Sequence, residues 1–181
     1  MKPADITGGH NGREETTTLC LIPAVREATT LPLIAAGGIG TGEAIFALMA
    51  LGAEGVQMGT RFALTDESSA SDIFKEYCLR LNEGDTKLLL KKLAPTRLVT
   101  NSFRDRVESA EGRGASAEEL RELLGRGRAK KGIFEGDLEE GELEIGQVAA
   151  LFRRRQSVDE VMKELLEGYR RASDKIRSAG L

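Results

Sequence analysis

The chain has 181 residues and 40% of them are hydrophobic, which predicts about one domain; its core must be aliphatic, because aromatic residues make up only 4%. The 26 basic and 29 acidic residues give a net charge of −3, too weak a field to recruit nucleic acid or an anionic membrane. No apolar stretch reaches the roughly 18–20 residues of a membrane span, so we expect a cytoplasmic protein with no membrane partner.

Charge divides the chain near residue 94. Residues 1–94 hold 9 basic and 12 acidic side chains, whereas residues 95–181 hold 17 of each. We therefore expect the first segment to form most of the core. Two cysteines, Cys20 and Cys78, lack the spacing of a metal site, so we expect no metal and two buried thiols.

The first segment predicts a strand, a helix and a second strand. Pro23 suits the first turn of a short helix that ends near Ala28. The apolar run 31–36 ends in glycines and predicts a strand buried on both faces. Residues 43–51 are good helix formers, and residues 53–58 predict the second strand. A unit of this length predicts parallel strands joined by the helix.

Later helices are predicted from their N-terminal caps. Ser71 begins a helix that should reach Leu81. Ser116 and Ser157, each followed three residues later by Glu, match the capping box. The apolar stripe of the last helix consists of Val161, Leu165, Leu166 and Tyr169. The charged segment 104–114 predicts a loop or a solvated connector.

Each predicted strand is followed by a glycine-containing loop. The carboxyl ends of parallel strands meet at one edge of a sheet, where backbone N–H groups and a helix N-terminus can bind an anion. The pairs Gly37-Gly38 and Gly59-Thr60 therefore outline a phosphate site. The spacing does not match the dinucleotide-binding pattern, because Glu43 stands where that pattern requires its third glycine. It does not match the Walker pattern either, because the sequence has no Gly-Lys-Ser/Thr. The alternative, that these glycines only make tight turns, stays open.

His10 is the only histidine and stands in the sequence Gly-Gly-His-Asn-Gly. A histidine flanked by glycines can reach a ligand unhindered by neighbouring side chains, and its pKa near neutrality suits proton transfer. It is therefore the candidate catalytic residue. The alternative, a loop histidine without a role, is equally open.

Several motifs resemble those of one enzyme family in their order and spacing. Residues 8–12 around the histidine, 34–39 (Ile-Ala-Ala-Gly-Gly-Ile) and 57–62 (Gln-Met-Gly-Thr-Arg-Phe) resemble three successive motifs of the nitronate monooxygenase (2-nitropropane dioxygenase) family. This family includes the FMN-dependent enoyl-acyl-carrier-protein reductases. Residues 136–137 and 146–151 resemble the C-terminal extension of that reductase branch. The resemblance thus covers nearly the whole chain.

The resemblance implies a fold and a cofactor. The family fold is a TIM (β/α)8 barrel, so residues 1–94 would supply its last two strands with their FMN-phosphate loops, and residues 95–181 would form a mainly helical C-terminal extension. The residues implied to bind FMN are Gly37, Gly38, Met58, Gly59 and Thr60. A whole barrel takes about 250 residues, so a complementing N-terminal half-barrel, or a homo-oligomer, is the expected protein partner.

The resemblance also implies a reaction, for which three hypotheses stand. The first is oxidation of an alkyl nitronate with oxygen. The second is reduction of an enoyl thioester, with NAD(P)H as the electron donor to FMN. In either enzyme His10 would handle a proton beside the flavin. The third is a non-catalytic fragment that needs an N-terminal partner. The C-terminal motifs favour the reductase, and the general frequency of family members favours the monooxygenase.

Overall fold

A computed structural model describes residue 9 and residues 16–180 of the chain, and this part has an α/β fold. In chain order the elements are α1 Thr18–Ala28, β1 Ile34–Ala36, α2 Gly42–Ala50, β2 Gly55–Gln57, α3 Thr60–Ala63, α4 Asp72–Cys78, β3 Thr86–Leu89, β4 Thr96–Val99, α5 Ser102–Gly112, α6 Ala117–Leu124 and α7 Val158–Ser178. A π-helical turn (Lys130–Phe134) and a 3-10 turn (Gln147–Leu151) precede α7.

The predicted strand–helix–strand unit is present. β1 and β2 pair in parallel, with Ile34 opposite Gly55, and α2 connects them. The expectation that β1 is buried on both faces is wrong: Ala35 is buried, but the Ile34 side chain is 55% exposed. Within the described residues β2 is the only strand that pairs with β1, so the other edge of β1 has no neighbouring strand. The face that carries Ile34 is only partly covered.

The start of α1 differs from the prediction. Pro23 lies inside the helix and not in its first turn. The N–H groups of Cys20 and Leu21 donate to Thr17 O at 3.0 and 2.9 Å, so the helix begins at Thr18, about one and a half turns before Pro23. Cys20 is exposed, which corrects the expectation of two buried thiols. Cys78 is buried, and desolvation raises the pKa of its thiol to about 12.

The segment predicted to be a loop at 104–114 is mostly helix α5. Phe103, Val107 and Ala110 recur at helical spacing and are buried against the β3–β4 hairpin and α6. The Asn101 side chain caps the helix by accepting a hydrogen bond from Arg104 N at 2.8 Å. Three apolar side chains on one narrow face are enough to hold this charged helix.

The capped helices are present with small differences in length. Both capping boxes form, at Ser116 and at Ser157. Helix α4 ends at Cys78 and not at Leu81. The Leu79 N–H still donates to Lys75 O, but the N–H groups of Arg80 and Leu81 donate only three residues back, to Tyr77 O and Cys78 O. In α7, Val161 and Leu165 of the predicted stripe are buried, whereas Leu166 is 50% exposed.

Three hydrophobic clusters hold these elements together. One lies within the α1, β1, α2 and β2 unit, and a second joins the antiparallel β3–β4 hairpin to α5 and α6. The third packs α3 and α4 against residues 143–152. The segment boundary proposed after residue 94 falls between β3 and β4, and the third cluster takes residues from both sides of it. The two segments are therefore packed together. Among the helices of residues 16–180, none combines the length and apolar character needed to cross a bilayer.

Candidate functional site

A pocket of about 140 Å³ opens at the carboxyl ends of β1 and β2. Its lining residues are Gly9, Ala36, Gly37, Gly38, Ile39, Gln57, Met58, Gly59, Thr60 and Val148. The five residues expected to bind FMN are thus brought together. His10 lies outside the described residues, although the preceding Gly9 lines the pocket.

The glycines of the pocket serve two different purposes. Gly37 and Gly38 have φ angles of +94° and +67°, a conformation that side-chain-bearing residues rarely adopt. Gly59 has an ordinary φ of −86°, but a Cβ there would point into open space with no atom within 4 Å. The first pair therefore shapes the loop after β1, and Gly59 leaves open space beside the loop after β2.

Thr60 supplies the hydroxyl of the site. It begins α3, and its Oγ1 accepts a hydrogen bond from Gly146 N at 3.0 Å. A hydroxyl that accepts from an N–H can still donate its own proton elsewhere. Thr60 can therefore donate a hydrogen bond to an anion in the pocket.

The 3-10 turn of the C-terminal segment packs on the loop after β1. A Cβ at Gly40 would lie 2.6 Å from a side-chain carbon of Val148 and 2.6 Å from one of Phe152, so a larger residue there would require these side chains to move. Val148 also lines the pocket. The C-terminal segment therefore forms part of the wall of the site.

Gly9, the one described residue of the histidine motif, is held by β4. Arg97 N donates to Gly9 O at 2.7 Å, and Ile145 N donates to Arg97 O at 3.3 Å. A Cβ on Gly9 would lie 3.8 Å from Ile145 backbone atoms. The residue before His10 is thereby fixed by a backbone contact from the C-terminal segment.

Helix α7 packs closely on the N-terminal end of α2, beside the first loop. A Cβ at Gly42 would lie 2.1 Å from Leu165 O, so the two backbones touch there. Across this contact Arg171 forms an ion pair with Glu43 at 3.2 Å. A hydrogen bond to its backbone, and then Arg171, lower the pKa of Glu43. The beginning of α2 is therefore clamped in place.

Arg61 belongs to the motif after β2 but does not line the pocket. Its side chain is 5% exposed, and its guanidinium lies 3.0 Å from Gln156 Oε1, 3.0 Å from Glu164 Oε2 and 4.4 Å from the centre of the Phe152 ring. The hydrogen bond from Gln156 and the charge of Arg61 lower the pKa of Glu164. Arg61 thus ties α3 to the 3-10 turn and to α7.

The composition of the pocket favours an anion. Its lining contains no acidic side chain among the described residues, and it combines four glycines with one hydroxyl. Sites that enclose a whole drug-sized ligand measure roughly 300–1,000 Å³, so this pocket suits the end group of a larger ligand. Residue 9 and residues 16–180 contain no cluster of three or more metal-binding side chains.

Comparisons with known proteins agree on one family. Residues 5–168 match the family model described as nitronate monooxygenase. The chain is 42% identical over 108 residues to a probable nitronate monooxygenase of Staphylococcus saprophyticus, an alignment that covers 53% of this chain and 30% of that protein. It thus matches less than a third of that relative.

Two solved structures are similar over almost the whole chain. FabK from Thermotoga maritima has a TM-score of 0.87 and 34% identity, over 96% of this chain and 54% of that one. Nitroalkane oxidase from Streptomyces ansochromogenes has a TM-score of 0.75 and 28% identity, over 94% of this chain and 51% of that one. The chain therefore corresponds to about half of each.

Proposed function

Because this chain belongs to the nitronate monooxygenase family, we propose that it forms the phosphate-binding part of an FMN-dependent oxidoreductase that oxidises alkyl nitronates with oxygen. The observation that carries the proposal is the pocket in which Gly37, Gly38, Gly59 and Thr60 meet. These residues follow β1 and β2, which on this proposal are the last two strands of a TIM barrel.

The residues of the pocket fit the phosphate group of FMN. The left-handed glycines bring the backbone close without a Cβ, the space beside Gly59 is open, and Thr60 offers a hydroxyl proton. Backbone N–H groups and hydroxyls are common ligands of phosphate. Met58, the first residue after β2, lines the pocket and would contact the ligand there. The volume of about 140 Å³ leaves the flavin ring to lie outside, against the other half of the barrel.

The roles of the residues follow from this placement. FMN, when bound, supplies the electron acceptor for the substrate and the route of electrons to oxygen. On our proposal Gly37, Gly38, Gly59 and Thr60 hold the phosphate. When the neutral nitroalkane binds, His10 takes or relays the proton from the carbon next to the nitro group, which yields the nitronate that is oxidised. Because Gly9 O accepts a hydrogen bond from Arg97 N, Gly9 would fix the position of the backbone from which the His10 side chain extends.

A second candidate is reduction of an enoyl thioester, with NAD(P)H as the electron donor. One observation favours it: residues 146–151, which resemble the extension of the reductase branch, pack directly on the phosphate loops through Val148 and Gly40. The two candidates share the phosphate site and differ in substrate and electron donor. A third possibility is a non-catalytic role in which the chain only pairs with an N-terminal half-barrel.

Titration of the chain with FMN, followed by flavin fluorescence, tests the shared site. We expect weak binding of FMN and weaker binding of riboflavin, which lacks the phosphate. Gly38→Val should reduce the affinity for FMN further, because a branched side chain blocks the close approach and resists φ = +67°.

The matched control is Gly84→Val. Gly84 also has a left-handed φ, of +91°, and open space around it, but it lies outside the pocket. Absence of FMN binding at millimolar concentration, or equal losses in the two variants, would refute the phosphate site. Once the barrel is completed, oxygen uptake with a nitronate and NAD(P)H oxidation with an enoyl thioester distinguish the two enzymes; neither activity would favour the non-catalytic role.

A further inference from the structure

The hydroxyl of Thr60 is oriented by a backbone group 86 residues away. Gly146 N donates to Thr60 Oγ1 at 3.0 Å. A threonine hydroxyl has one proton to donate and two lone pairs to accept with. Because one lone pair already faces the Gly146 N–H, the hydroxyl proton must point away from Gly146, and Thr60 lines the pocket.

Gly146 is itself held in place from both sides. Glu144 pairs with Leu98 of β4 in an antiparallel bridge, and Ile145 N donates to Arg97 O. After Gly146 the 3-10 turn begins, with Ala149 N donating to Gly146 O at 3.0 Å. The direction of the Gly146 N–H is therefore fixed by a strand on one side and a helical turn on the other.

The same turn also seats the loop after β1. Val148 and Phe152 fill the space beside Gly40 so closely that a Cβ there would lie 2.6 Å from each side chain. The turn thus contacts both loops of the pocket, the first by packing and the second by a hydrogen bond. Its position sets the relation between the two loops.

We propose that Gly146 is a positioning residue of the phosphate site: its N–H holds the Thr60 hydroxyl so that the hydroxyl donates its proton to a phosphate oxygen. This inference rests on the proposed function. It makes the C-terminal segment a contributor to phosphate affinity, although Gly146 itself does not contact the ligand.

The conformation of Gly146 allows a selective test. Its φ of −73° and ψ of 155° suit proline and alanine alike. Gly146→Pro removes the N–H, whereas the control Gly146→Ala keeps it. The FMN dissociation constant of Gly146→Pro should exceed that of Gly146→Ala roughly tenfold, as for the loss of one hydrogen bond to a charged group. Affinity for riboflavin should be the same in both.

A double-mutant cycle separates positioning from a general structural effect. Thr60→Val removes the hydroxyl, and in that background Gly146→Pro should weaken FMN binding no further than Gly146→Ala. In Thr60→Ser, which keeps a hydroxyl, the tenfold difference should return. Equal affinities of the Pro and Ala variants in the wild-type background, or the same loss in the Thr60→Val background, would overturn the inference while leaving the proposed site intact.

Amide hydrogen exchange gives a measurement that leaves Gly146 unchanged. The Gly146 N–H should be protected in the wild-type chain and in Thr60→Ser, and it should exchange at least tenfold faster in Thr60→Val. Equal exchange in all three would overturn the inference even if Gly146→Pro does not fold. Failure of the wild-type chain to bind FMN would instead refute the proposed function, and the inference with it.

Discussion

Replacement of Gly42 by alanine should destabilise the fold, because α2 and α7 touch through their backbones at this residue. A Cβ at Gly42 would lie 2.1 Å from Leu165 O and 2.2 Å from Tyr169 N. Ordinary contact begins at 3.4 Å, so the helices would have to separate by about 1.3 Å. Both atoms belong to a helix backbone and cannot swing aside as a flexible side chain would.

The expected change in the free energy of unfolding for Gly42→Ala is the difference between two opposing effects. Overpacking costs about 1–3 kcal/mol, and a backbone clash belongs near the upper limit. Alanine gains about 0.5–1 kcal/mol over glycine in a helix. The net loss is about 2 kcal/mol, which for a chain of this size lowers the Tm by roughly 4–8 °C.

Thermal unfolding followed by far-ultraviolet circular dichroism measures this change. The control is Gly112→Ala at the end of α5, where a Cβ would meet no atom within 4 Å. We expect this variant to match or slightly exceed the wild-type Tm. A Gly42→Ala variant as stable as Gly112→Ala would refute the close contact between α2 and α7.

Three further predictions concern single groups. In a completed barrel, His10→Ala should leave FMN bound and lower turnover roughly 10²–10⁴-fold, the usual effect of a positioned acid or base; turnover within twofold of wild type would make His10 a loop residue. The Ser157 N–H lowers the pKa of the Glu160 carboxyl below its ordinary 4.5, so the stability it gives is present above that pH and is lost as the pH falls through the lowered value. Urea unfolding between pH 7 and pH 3 should show this loss, and Glu160→Gln should reduce it; an unchanged pH profile would contradict the cap. At pH 8 a thiol reagent should label exposed Cys20 and reach Cys78, whose pKa is about 12, only after denaturation; rapid labelling of both would show that Cys78 is accessible.

Local patterns predicted the parts of the fold that depend on neighbouring residues. The β1–α2–β2 unit and both capping boxes are present because each is specified within a few positions of the chain. Helix α5 was not predicted, because only Phe103, Val107 and Ala110 of its 11 residues form its buried face. The β3–β4 hairpin was not predicted either, since its connection carries no two-residue turn motif and instead has Leu90 at φ = +57°.

The candidate site divides in the same way. Gly37, Gly38, Met58, Gly59 and Thr60 were chosen from sequence motifs, and all line one pocket. Two other features had no local indication. The role of Gly40 depends on side chains more than 100 residues later, and the partner of Thr60 is a backbone N–H, which no side-chain pattern can indicate. Contacts of this kind follow only from the tertiary fold.

The close contact between α2 and α7 also has a consequence for synthesis of the chain. Glu43 and Arg171, which pair across it, are 128 residues apart. At about 5–20 residues per second, the ribosome needs roughly 6–25 s to make the interval between them. Throughout that time α7 does not cover the side of α2 that carries Gly42 and Phe46, whose ring packs edge-on against Tyr169 of α7 with the ring centres 5.5 Å apart. The nascent chain therefore leaves this surface exposed until α7 emerges, and slow translation of the preceding segment prolongs the exposure.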